Sequence, residues 1–203
     1  AADWTNENNF GVIHLINSTT LVSVIIGLLV LDLIGAYLPH LVQHKVKLLW
    51  YIHIVHHTDH KVDTTTANRH HPFESVVRFI FTFIGVFITG APIGLVLMYQ
   101  SISVIASQFN HANIQISNKF DKLLSYIIVS PNMHKVHHHF ELPYTDSNYG
   151  NIFSIWDRLF GTYMELNKDK IVYGVDTDLD EFQNSRFTSL IERPFKKWFN
   201  HFN

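Results

Sequence analysis

The chain contains no cysteine. That excludes a disulfide framework, a thiolate metal site, an iron–sulfur cluster, a c-type haem attachment and a cysteine nucleophile. It also leaves the redox compartment unread. Charge is sparse as well: Asp, Glu, Lys and Arg make up 16% of the 203 residues, against roughly 25% in ordinary soluble domains. The formal net charge is -2, so there is no basic excess to drive nucleic-acid binding. Neither a Rossmann glycine pattern nor an HExxH motif occurs. The start, Ala1-Ala2-Asp3-Trp4, has no Met and no basic n-region, so no signal peptide is expected. Repeats, low-complexity stretches and linkers are lacking too, and the length suits one domain over residues 1–203.

What is abundant is histidine and phenylalanine, 15 and 16 residues, in a chain that is 47% hydrophobic. Excess His without Cys points to metal or proton chemistry. Excess Phe with few charges points to a bilayer. Residues 1–18, with Asn6, Asn8, Asn9 and Asn17, read as a surface lead-in. Leu21 to Leu38 is an apolar run broken only by Asp32 and small residues, about long enough to span a bilayer as a helix. A second region, Val76 to Ser107, carries Arg78 as its one charge and is divided by Gly90-Ala91-Pro92. Each half is short for a span of about 20 residues, so a tilted or re-entrant helical hairpin is expected. Lys45, Lys47, Lys61, Arg69, Lys119 and Lys122 flank the ends away from that turn, which the positive-inside rule places in the cytoplasm. Residues 119–130 read as an amphipathic interfacial helix. Arg193, Lys196 and Lys197 among Phe195, Trp198, Phe199 and Phe202 fit an interfacial anchor or a solvated terminal helix equally well.

The histidines are clustered. His40 and His44 are four apart; His53, His56 and His57 follow i, i+3, i+4; His134, His137 and His138 repeat that pattern. On a helix these spacings lie on one face, so each box is expected to aim its imidazoles at one point. Imidazole suits zinc, copper, iron and nickel. Eight such ligands exceed the three or four of one zinc and fit two metals of higher coordination number. The boxes, with His111, fall at the ends of the apolar regions. That implies a metal cap at the membrane surface, fed from the lipid.

These boxes resemble the three histidine boxes of the fatty acid hydroxylase/sterol desaturase superfamily. Asp32 and Tyr37 before the first box, Thr65–Arg69 leading to His71-Pro72-Phe73-Glu74, and Asn110-His111-Ala112-Asn113 carry the resemblance further. So do Thr145–Gly150 and Trp156–Thr162, and it covers about residues 30–163. Residues 164–203 would then form a soluble or interfacial tail. The sequence departs from the family at Pro39, Leu41, His70 and His139. The resemblance implies an all-α, integral-membrane helical bundle with a cytoplasmic-side, histidine-rich metal cap. It implies two iron ions, which zinc can replace during expression, and O2 as co-substrate. The implied ligands are His40, His44, His53, His56, His57, His111, His134, His137 and His138, with His71 as a ligand or a hydrogen-bond donor behind one.

The implied reaction is hydroxylation or desaturation of a lipid, fatty-acyl chain or sterol from the bilayer. Breaking an unactivated C–H bond needs a strong oxidant, which a metal and O2 supply once electrons arrive. The chain has no electron-carrying motif of its own, so an external donor of cytochrome b5 or ferredoxin type is expected. A zinc-dependent membrane hydrolase and a non-catalytic metal carrier are the competing readings. The lack of HExxH and of ionisable residues deep in the apolar runs weighs against them. Of the remaining groups, His60, His70 and His139 are expected to be solvated or to stand behind ligands, and His14 and His201 to be surface residues. Asp32 should hydrogen-bond an imidazole or backbone. Asp146 and Asn148 should support ligands or cap loops, and Trp156-Asp157-Arg158 should make a packing and ion-pair corner.

Overall fold

A computed structural model describes residues 1–16 and 18–202; Asn17 of the expected lead-in lies outside them. The described residues are helical, with two isolated β-bridges and no strand. Two short helices, α1 (Ala2–Glu7) and α2 (Val12–Leu15), precede α3 (Thr20–Asp32). α3 passes without a break through a π-helical turn, Leu33–Tyr37, into α4 (Leu38–Lys45). The continuous rod, Thr20–Lys45, is 26 residues, about 39 Å at 1.5 Å per residue. That exceeds a hydrocarbon core of about 30 Å, and the surplus turns carry His40 and His44. The π turn adds one residue to the helix, which rotates everything after it by about 100°.

α5 (Lys47–His57) packs back on α4. α6 (Pro72–Thr89) and α7 (Ile93–His111) are joined at the expected Gly90-Ala91-Pro92 break, each close to 27–29 Å long. Each packs on α3 and a groove separates them, so they are not a close-packed hairpin. Pro72 at its first position and Glu74 in its first turn start α6, and Gly90 ends it with φ 74°, a left-handed C-cap that only glycine adopts without strain. A Cβ on Gly27 would stand 2.5 Å from Leu95 Cδ2, so glycine there sets how closely α3 approaches α7. Thr20–Lys45 and Pro72–Thr89 are long and apolar enough to cross a membrane by length and composition. Leu21, Ile25, Phe79, Phe83, Leu97 and Ile105 stand exposed along this bundle, a belt far larger than isolated surface apolars would make. The sequence treated the two hairpin arms alike. α7 is the less apolar of the pair, because Gln100, Ser101, Ser103, Ser107 and Gln108 interrupt it.

The lead-in is not a loose surface segment. Trp4 packs on Phe87 at 5.9 Å, and His14 Nε2 donates to the Gly90 carbonyl at 3.2 Å. α1 and α2 therefore close the hairpin tip, at the end away from the boxes, and His14 is a structural contact. Past α7 come α8 (Asn118–Leu124), α9 (Pro131–His137), α10 (Ile155–Leu159), α11 (Glu181–Ser185) and α12 (Phe187–Phe202). α8 stops well short of the helix expected to residue 130. Its buried Asp121 instead accepts from Ser130 Oγ (2.8 Å) and the Asn132 amide (3.2 Å), which fixes the start of α9. α12 lies on α5: Trp198 Nε1 donates to the Leu48 carbonyl at 3.0 Å, while Phe199 and Phe202 point outward.

Asp32 is fully buried and accepts from the Ile152 and Phe153 amides and from Trp156 Nε1, at 3.2, 3.1 and 2.9 Å. It binds backbone and indole, not an imidazole, and so ties the first long helix to the C-terminal block. The 156–158 corner is held by other means than an ion pair. Asp157 accepts from the Tyr149 and Gly150 amides and from Thr162 Oγ1, while Arg158 stacks 4.1 Å over Tyr163.

Candidate metal centre

The boxes converge on two clusters: His40 and His44 of the first box stay together, while the second and third boxes are each divided between the two. His40, His44, His53, His57 and His137 form one; His56, His111, His134 and His138 form the other. Within each, the facing ring nitrogens all lie within 4.8 Å of one another. The expectation that a box aims all its imidazoles at one point holds for His40 and His44 and is corrected by helix geometry for the other two boxes. Positions i and i+4 differ by about 40° around the axis, and i+3 falls about 60° to the other side of i. His53 and His57 therefore enter the first cluster while His56 reaches the second, and α9 places His134 and His138 in the second and His137 in the first.

In the second cluster, His111 Nε2 lies 3.1, 3.0 and 3.1 Å from the Nε2 atoms of His56, His134 and His138. In the first, His53 and His57 Nε2 are 3.3 Å apart, and the buried Nε2 atoms of His40, His44 and His137 have no partner among the described residues. Lone pairs meeting at such distances repel unless a cation lies among them. With metal–nitrogen bonds near 2.1 Å, ligand atoms fall roughly 3.0–3.4 Å apart. The donor set fits transition-metal ions.

The outer nitrogens fix the tautomers. Nδ1–H of His40 donates to the Tyr149 carbonyl (2.8 Å), of His137 to Ser147 (2.6 Å) and of His111 to Ser107 (2.7 Å). His44 Nδ1 faces Asp146 Oδ1 at 3.4 Å, and His53 Nδ1 faces Glu74 Oε2 at 3.1 Å. A proton held on Nδ1 leaves the Nε2 lone pair for a metal and raises its basicity. Burial first, and repulsion from neighbouring imidazoles second, holds His56, His57, His134, His137 and His138 well below the usual imidazole range. They are neutral at neutral pH, the form that ligates.

His71 is not brought to either cluster. Its Nδ1 accepts from the Phe73 amide as the cap of α6, and its Nε2 donates to the Ile191 carbonyl, both at 3.2 Å. No lone pair remains for a metal. His60 pairs with Asn184, His139 Nδ1 accepts from the Val172 amide at 3.0 Å, and His201 packs by Tyr51. His70 does stand behind a ligand, stacked on His56 at 4.5 Å. Asn148 bonds the Met133 and Met164 backbone and touches no imidazole; Asp146 touches His44.

Glu74 is the group whose role the sequence did not give. Buried to 1% exposure, it meets His53 with one oxygen and His70 Nδ1 with the other, at 3.1 and 3.0 Å. A lone acidic residue in the first turn of an apolar helix, beside the His70-His71-Pro72 stretch, was its available signal. Tyr149 was also missed as an individual. Its ring lies 5.5, 5.1 and 5.7 Å from those of His40, His44 and His137, and its hydroxyl donates to Asp146.

The family model described as "Fatty acid hydroxylase" matches residues 24–162. Similar curated proteins include ornithine lipid hydroxylase OlsE of Rhizobium tropici, 26% identical over 69% of this chain and 41% of its own. Alkylglycerol monooxygenase of Homo sapiens is 27% identical over 82% of this chain and 34% of its own. That of Danio rerio is 31% identical over 73% and 32%. The chain thus spans about a third to two fifths of the length of these relatives. No solved structure matches it significantly.

Proposed function

The chain belongs to the fatty acid hydroxylase family, and from that premise we propose that it is an O2-dependent membrane oxidoreductase that hydroxylates a lipid. The observation that carries this reading is the pair of buried imidazole clusters at the end of an apolar helical bundle. Iron ions are the occupants we assign. His40, His44, His53, His57 and His137 would hold one, and His56, His111, His134 and His138 the other. Iron held there supplies the one-electron and O2 chemistry that attack on an unactivated C–H bond requires.

The chain's own residues do the rest. Tyr149, Ser147 and Ser107 carbonyls orient imidazoles, Glu74 and Asp146 add negative charge behind the first cluster, and burial excludes bulk water. Both carboxylates face outer nitrogens, which suits anchoring rather than the water-activating base of a zinc hydrolase. In this reading residues 1–203 act as one unit, the bundle lies in the bilayer and the metal cap faces the cytoplasm, as the lysines at that end favour. Electrons come from a separate donor of cytochrome b5 or ferredoxin type.

The test is lipid mass spectrometry of host cells with the active chain and with an inactive one. New species heavier by one oxygen, about +16, are expected, whereas a −2 difference would mark desaturation. Identical lipid profiles from cells making metal-loaded protein would overturn the reading.

A further inference from the structure

Two spaces meet beside the metal clusters. A small cavity of about 40 Å³ has imidazoles of both clusters in its wall, together with His70, Arg78 and Ser107. The same three residues line an open groove of about 370 Å³ between α6 and α7. Along this groove each apolar helix carries a polar stripe at helical spacing: Ser75, Arg78 and Thr82 on α6 face Gln100, Ser103 and Ser107 on α7.

Arg78 is the one charged residue between positions 76 and 107. It makes no hydrogen bond or ion pair with any described residue. Its natural partner one turn earlier, Glu74, has both oxygens engaged by His53 and His70. Neither Gln100 nor Gln108 hydrogen-bonds a described residue through its side chain. A guanidinium stays charged and is costly among apolar helices without a counter-charge. Its planar fork matches the two oxygens of a carboxylate or phosphate. Six residues past Pro72, Arg78 lies about 9 Å along α6, on the half of the helix nearer the imidazole clusters and away from Gly90.

We propose that this groove admits a membrane lipid by its headgroup, with Arg78 binding the lipid's anionic phosphate or carboxylate. The proposal rests on the lipid-oxidising reading above and names the substrate class it implies. A bare hydrocarbon would leave Arg78 and both glutamines unmatched. Because Arg78 borders both spaces, the headgroup end of the lipid, not its chain terminus, meets the metal cavity.

The test uses the full chain in neutral maltoside detergent and three probes: dodecyl phosphate, dodecanol and inorganic phosphate. Saturable binding of dodecyl phosphate is expected, tenfold or more weaker in Arg78→Gln, with dodecanol binding unchanged between the two. Arg78→Lys should recover part of the affinity, since it keeps charge but not the fork. Equal affinity for dodecyl phosphate in wild type and Arg78→Gln overturns the proposal. So does displacement by inorganic phosphate at matching concentration, which marks a free-anion site. If Arg78→Gln does not fold, wild type decides: dodecyl phosphate, but not dodecanol, should protect Arg78 from phenylglyoxal, read by peptide mass spectrometry, and absence of protection overturns it. Metal content of the same samples separates the two ideas. A folded chain that never holds metal fails the oxygenase reading, and normal metal with undiminished binding in Arg78→Gln fails this one alone.

Discussion

His137 and His138 are neighbours in the chain yet face different clusters, so single substitutions should separate the two sites. His137→Ala is expected to lower metal content from about two ions to about one, and His138→Ala to do the same with the opposite ion lost. Elemental analysis with a spectroscopic probe such as cobalt substitution distinguishes them. His71→Ala and His139→Ala should retain both ions, because the ring nitrogens of those residues serve backbone groups. If His71→Ala empties a site while His137→Ala keeps two ions and full turnover, the ligand assignment is wrong.

At the scale of elements, the two clusters are supported unequally. The Asp146–Tyr149 stretch and the first turn of α6 anchor His40, His44, His53 and His137 from behind. In the second cluster only His111 has such an anchor; the Nδ1 atoms of His56, His134 and His138 have none among the described residues. Groups behind ligands typically change metal affinity by 10–100-fold. Chelator should therefore remove metal in two phases, the ion of the second cluster first. Glu74→Gln should speed the slow phase alone, and a single phase for the wild-type protein would contradict this. Asp32 governs another joint, between the first long helix and the 152–156 stretch. Asp32→Ala would leave three buried donors unsatisfied, costing about 3 kcal/mol or more at 1–3 kcal/mol each. Thermal melting of the solubilised chain should show this loss, with Asp32→Asn falling between.

On the scale of the whole molecule, the N-terminal segment packs at the hairpin tip and the imidazoles gather at the other end. If the bundle crosses the membrane, the two ends face opposite sides. The lack of native cysteine makes this simple to read: exposed Asn8→Cys and Lys61→Cys should react with impermeant maleimide from opposite sides, Lys61→Cys only after permeabilisation. Labelling of both from one side would refute a crossing bundle. On the proposal above, the meeting of groove and metal cavity at Arg78 would set the position of oxidation. Tandem mass spectrometry should place the new oxygen in the headgroup or the first carbons beside it, and oxygen near the chain terminus would contradict that route.

The sequence by itself determined the chemistry and the class of fold. Its apolar runs, the Gly90-Ala91-Pro92 break and three histidine boxes dictate a helical bundle with imidazole-rich ends, because helix period and side-chain polarity are local properties. Nine histidines it singled out are the nine that gather. Only the tertiary structure decided how they are shared. Which cluster an imidazole enters depends on the crossing of α4, α5, α7 and α9, on the rotation introduced by the π turn, and on tens of ångströms of chain between contacting residues. The same holds for His71, whose spacing beside Pro72 suits a ligand but whose lone pair is taken by its own helix start. Glu74 and Arg78, one turn apart on α6, look alike in sequence as isolated charges in an apolar helix. Packing turns one inward onto His53 and His70 and leaves the other at the mouth of a groove, and burial and partner geometry are set by neighbours distant in the chain.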